Sequence, residues 1–103
     1  MKVVIAAAEN RINSLIDQHF GRCKWFYVYD TINQTGQFIE NTSHLQTDRA
    51  GCDAAEVLME MGVEMVVAGR FGSKVTSIFR SKNIQQVVID KPVTINNFIQ
   101  QLK

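Results

Sequence analysis

Cysteine is scarce in this chain. Only Cys23 and Cys52 occur among 103 residues, and no Cys-x-x-Cys pair is present. Two thiols so spaced fall short of the four ligands that close a structural zinc site. In a reducing compartment they are expected as free thiols or ligands rather than as a disulfide. Long apolar runs are missing too, since none approaches the roughly 20 residues that cross a bilayer. The apolar stretch at residues 1 to 8 is too short for a signal peptide and reads as a first strand. A cytoplasmic protein without a membrane partner is therefore expected. Charge of one sign is nearly balanced out, at +1 net. No strong field draws the chain to nucleic acid. Carboxylates are absent from the first strand, Val3-Val4-Ile5-Ala6-Ala7-Ala8, and begin only at Glu9. Two-metal nucleases need clustered acids, so that class is disfavoured and no catalytic residue is assigned. The expectation is a binding protein rather than an enzyme.

What is present suits one globular domain spanning residues 1–103, with 46% hydrophobic and 20% charged residues. The first strand is apolar throughout, as in a strand buried on both faces. Residues 9 to 23 form a long polar connection, with a short helical turn expected through Ile12, Leu15 and Ile16. Residues 25 to 29 are aromatic and β-branched and read as a second strand. A hairpin turn at Asn33-Gln34-Thr35-Gly36 leads to a third strand at 37 to 40. Residues 50 to 61 show helical periodicity through Ala54, Ala55, Leu58 and Met61. A fourth strand follows at 64 to 68. Ser73 is then expected to cap a helix carrying Val75, Ile78 and Phe79. A fifth strand at 86 to 89 precedes Pro92, and Thr94 caps a last helix through Ile95, Phe98, Ile99 and Leu102. The order is βββαβαβα. Right-handed crossovers then predict a mixed five-stranded sheet of order 3-2-1-4-5, in a three-layer α/β/α architecture.

Three segments concentrate chemistry: His19-Phe20-Gly21-Arg22-Cys23, Ala50-Gly51-Cys52-Asp53, and Gly69 to Lys74. The first follows strand one and the third follows strand four. Those strands are neighbours in the predicted order, and open α/β sheets place ligands at such a switch point. His19 and Cys23 are soft-metal ligand types; a loop histidine capping carbonyls and a small buried hydrophobe are the competing readings. Cys52 sits at a helix start, where free amides favour a thiolate; simple packing is the alternative. Asp53 and Glu56 complement the helix dipole there. The turn with Gly69, Arg70, Gly72 and Lys74 offers amides and charge to an anion, though its spacing is not that of a Walker motif. Arg22, Arg49, Arg70 and Lys74 together would make a cationic rim suited to an anionic metal–sulfur cluster or to a phosphate. A small anion- or nucleotide-binding regulatory module therefore stands as the alternative.

At these residues the chain resembles the dinitrogenase iron–molybdenum cofactor biosynthesis family, which includes nitrogenase accessory proteins of the NifX type and small stand-alone relatives. Asp17-Gln18-His19-Phe20-Gly21-Arg22-Cys23 carries most of the likeness. It continues through Asp30, Asn41, Ala50-Gly51, Gly62-Val63, Val66-Val67-Ala68-Gly69 and Gly72. The loop Glu9-Asn10-Arg11 and the pair Ser73-Lys74 depart from the family pattern. The resemblance implies a ribonuclease-H-like α/β/α fold. It also implies binding, storage or delivery of an iron–sulfur or iron–molybdenum–sulfur cluster or its precursor, as a nitrogen fixation accessory or in a related role. Cluster-donor or acceptor proteins would be the partners, and the chain would act as a monomer or homodimer. By this likeness His19 and Cys23 are the expected metal ligands; Cys52 is an addition to the family pattern and joins them as a candidate metal ligand. Phe20, Gly21, Arg22, Gly51, Arg70 and Gly72 are expected to complete the cofactor site.

Overall fold

The computed structural model describes residues 1–43 and 50–103. Five strands, β1 (Lys2–Ala7), β2 (Trp25–Asp30), β3 (Thr35–Glu40), β4 (Met65–Ala68) and β5 (Gln85–Val88), form one sheet of order β3-β2-β1-β4-β5. Three helices accompany them: α1 (Ala50–Glu60), α2 (Ser73–Ser81) and α3 (Ile95–Leu102). Both the mixed sheet and its order are those expected from the sequence. β1 pairs antiparallel with β2 and parallel with β4, in register Val4 to Val28 and Val4 to Val66.

Alternation along β1 divides the interior in two, because successive side chains of a strand face opposite ways. Val4 and Ala6 join Val66 and Ala68 beneath α1 and α2, where Ala54, Leu58, Val75 and Phe79 meet them. Val3, Ile5 and Ala7 face the other side, under Ile95 and Ile99 of α3. β1 is thus covered on both faces, which is why its sequence shows no polar alternation. α3 begins where expected: Thr94 Oγ1 accepts from the Asn97 amide at 3.1 Å. Thr94→Ala is expected to cost about 1 kcal/mol of stability, read as a lower urea midpoint at unchanged slope.

Three local expectations change. The hairpin turn occupies residues 31 to 34, and Gly36 lies inside β3. Asp30 Oδ1 accepts from the Ile32 and Asn33 amides at 2.9 and 3.3 Å, and Gln34 takes the left-handed position at φ 56. Gly36 is needed because the Tyr27 ring crosses it: a Cβ there would lie 2.2 Å from the Tyr27 hydroxyl. Residues 12 to 16 make no helical turn beyond the Ser14-to-Arg11 bond of 2.9 Å. Leu15 and Ile16 are instead extended, bridging Thr94 and Ala7, because the segment folds back over the end of β1. Ser73 is the first residue of α2 rather than its cap; Gly72 holds that place, and no side chain caps the helix.

Candidate functional site

Strand direction decides what gathers at one end of the sheet. β2 is antiparallel to both β1 and β3, and β4 is parallel to β1. The carboxyl ends of β1, β3 and β4 therefore share an edge. The loop after β1, the start of α1 and the turn into α2 all emerge there. Hydrogen bonds then tie the loop to the turn. The Gly69 amide donates to Asp17 O at 2.9 Å and the Phe20 amide to Arg70 O at 3.2 Å, making a short parallel bridge between His19 and Arg70.

Two glycines allow this closeness. A Cβ on Gly21 would sit 2.4 Å from Gly51 Cα, so the loop lies directly on the first turn of α1. A Cβ on Gly69 would sit 2.6 Å from Gln18 Cα. Behind them Asn41 is buried and staples the loop from inside. Its Nδ2 donates to Gly21 O at 3.1 Å and to Cys23 O at 2.8 Å, and its Oδ1 accepts from the Ser43 amide at 3.1 Å. Phe20 points inward and stacks edge-on to Phe79, with ring centres 5.4 Å apart, which anchors the loop in the core.

The result is a cavity of about 430 Å³ bordered by all three segments. Of the residues expected at the site, His19, Phe20, Gly21, Arg22, Gly51, Cys52, Arg70 and Gly72 line it. Lys74 lines it as well, while Arg49 lies outside the described residues. Ala50, Phe71 and Ser73, which lie within the segments singled out from sequence, also line it, and so does Val75, which lies outside them. Val75 could be found only by knowing that the starts of α1 and α2 pack together, where its Cγ2 would lie 2.7 Å from a Cβ on Gly51.

Cys23 is placed elsewhere. It is fully buried in the core, and its thiol donates to Phe20 O at 3.0 Å. Burial, assisted by the nearby Asp17 carboxylate, pushes that thiol up to about 12. A proton so firmly held and a side chain so enclosed leave Cys23 as part of the packing beneath the loop. Cys52, half-buried at the start of α1, is the thiol that faces the cavity.

The electrostatics of the cavity have one sign. Arg22, Arg70 and Lys74 border it, and no carboxylate does among the described residues. The amino ends of α1 and α2 both open onto it, the latter without a side-chain cap. A helix start carries a partial positive charge. Among the described residues no three His, Cys, Asp or Glu side chains gather in a way that would hold a bare metal ion. No helix among them is long and apolar enough to cross a membrane. Chemically, the arrangement presents positive charge and one thiol to a shared space.

Comparison with known proteins agrees with this architecture. A family model described as dinitrogenase iron–molybdenum cofactor matches residues 1–103. An uncharacterized protein of Methanocaldococcus jannaschii is 29% identical over 87 residues, covering 82% of this chain and 70% of that one. The apo form of the orange protein from Desulfovibrio gigas superposes with a TM-score of 0.89 at 24% identity, over 97% of this chain and 84% of that one. A Thermotoga protein described as a candidate NifB protein gives 0.82 at 21% identity, over 96% and 84%.

Proposed function

The chain belongs to the dinitrogenase iron–molybdenum cofactor family, and we propose that it binds and carries an anionic iron–sulfur or iron–molybdenum–sulfur cluster, or a precursor of one, in the cavity described above. One observation carries this reading: two helix amino ends, three basic side chains and one thiol border a single space of about 430 Å³ that no described carboxylate enters. A cluster that brings its own sulfides needs few protein ligands, and an anionic one is stabilised by amides and cations. In this reading Cys52, which borders the cavity, bonds metal directly. Arg22, Arg70 and Lys74 hold charge, and the amides beside Gly51 and Gly72 donate to the sulfide face. The chain then serves as a carrier for delivery to an acceptor protein, with no chemical step of its own.

Anaerobic reconstitution with iron, sulfide and molybdate tests it. The expected product absorbs in the visible and retains metal and sulfide through gel filtration. Cys52→Ser and an Arg70→Ala, Lys74→Ala double substitution should each lower the retained metal severalfold. Colourless, metal-free protein would overturn the proposal. The uncapped start of α2 favours one alternative, a module for a small phosphate-bearing ligand. Tight calorimetric binding of such a ligand without metal would support that alternative instead.

A further inference from the structure

The Nε–Nη2 edge of the Arg70 guanidinium lies along the imidazole of His19. Nε donates to Nδ1 at 3.0 Å, and Nη2 lies 3.4 Å from Nε2. Both ring nitrogens therefore face a cation that is itself part of the cavity wall. Arginine only donates, and the shorter, directed contact runs from Nε to Nδ1, which assigns Nδ1 as the acceptor and, in the neutral ring, the hydrogen to Nε2. That tautomer leaves neither nitrogen ready for a metal. Nδ1 is occupied, and Nε2 would have to lose its proton to Nδ1, which would break the contact with Arg70.

The geometry points to His19 as a positioning residue rather than a ligand: it takes the Nε hydrogen of Arg70 and so fixes the guanidinium, whose other N–H groups are left for the bound anion. The surroundings are built for that task. The two residues are already bridged through their backbones, and the His19 amide is held by Asp17 Oδ1 at 2.9 Å. Arg70 is exposed and would otherwise sample many rotamers. One acceptor on a fixed loop removes most of that freedom before the anion arrives, and preorganisation of this kind strengthens binding without a new contact. The inference rests on the carrier reading for its purpose, but its first test does not.

That first test is the tautomer. Long-range ¹⁵N–¹H correlation spectra of the unloaded protein at neutral pH should show Nδ1 unprotonated and Nε2 protonated. A dominant Nδ1–H form would overturn the assignment whatever the protein carries. The second test measures how fast a chelator strips the reconstituted chromophore. His19→Ala should speed the loss roughly tenfold, about the worth of one charge-assisted hydrogen bond. His19→Asn, whose Oδ1 can take the place of Nδ1, should restore most of the retention. In an Arg70→Lys background, which keeps charge but lacks Nε, His19→Ala should change nothing further. If His19→Asn is as poor as His19→Ala, or the effect persists beside Lys at position 70, His19 acts in another way. If the wild-type protein binds no cluster, the carrier reading fails while the tautomer result stands.

Discussion

Replacing Gly21 with alanine should destabilise the protein by roughly 1–3 kcal/mol and lower its cluster loading at the same time. The added methyl would lie 2.4 Å from Gly51 Cα and 2.5 Å from Gly51 N. Those are backbone atoms in the first turn of a helix and cannot swing aside as a side-chain tip would. Either the loop must lift or α1 must shift. Lifting the loop stretches the two bonds from Asn41 to Gly21 O and Cys23 O. Those carbonyls would be left short of a partner inside the protein, which adds its own penalty. Shifting α1 moves Cys52 and the amides that line the cavity. Gly72→Ala is the matching control. A methyl there would meet nothing within 4 Å, and the φ of −67° suits any residue. It should stay within about 0.5 kcal/mol of wild type. Urea unfolding of the two variants separates the cases: similar midpoints for both would show that the contact between Gly21 and Gly51 is not fixed.

The sheet was readable from sequence because its signals are local and agree with one another. Continuous apolar runs mark β1 and β4, an aromatic run marks β2, and the spacing of Ala54, Ala55 and Leu58 marks the buried side of α1. Strand order then follows from the handedness of crossovers, which permits few arrangements. The meeting of the first and third chemical segments was readable for the same reason, since parallel strands send their following loops to one edge; that the start of α1 joins them was not. What was not readable depends on contacts between distant residues. Gly36 looks like a turn glycine because nothing nearby in sequence announces the Tyr27 ring above it. Ser73 looks like a cap because serine favours that role, yet Gly72 occupies the place. Cys23 and Cys52 look alike as sequence. Only the fold shows that one thiol is sealed under the loop while the other borders the cavity. His19 reads either as a ligand or as a loop histidine, and nothing nearby in sequence announces that Arg70 lies against both its ring nitrogens.

The largest pH effect should come from the sealed thiol. In the unfolded chain Cys23 ionises near 9.0, and in the folded protein burial pushes it to about 12. The folded state therefore holds this proton more tightly than the unfolded one. Below pH 9 both states keep it, and the full stability is present. As the pH rises from 9 toward 12, the unfolded chain ionises first and is favoured, so stability falls by about 1.4 kcal/mol per pH unit. Over the whole interval the loss is on the order of 4 kcal/mol, a large part of what holds a domain of this size folded. Tyr27 works in the same direction, since burial and the neighbouring Tyr29 raise it. The comparison with Cys23→Ala isolates the thiol. That variant should be about 1 kcal/mol less stable than wild type at pH 7, having lost a buried sulfur. Its stability should then fall less steeply above pH 9, so that the two curves cross before pH 12. Iodoacetamide provides an independent check at pH 8, where the folded chain should take up a single label, at Cys52, and the unfolded chain two. Parallel stability curves for wild type and Cys23→Ala, or ready labelling of Cys23 in the folded protein, would show that the thiol beneath the loop is open to solvent. The bond from Cys23 to Phe20 O would then no longer close the floor of the site.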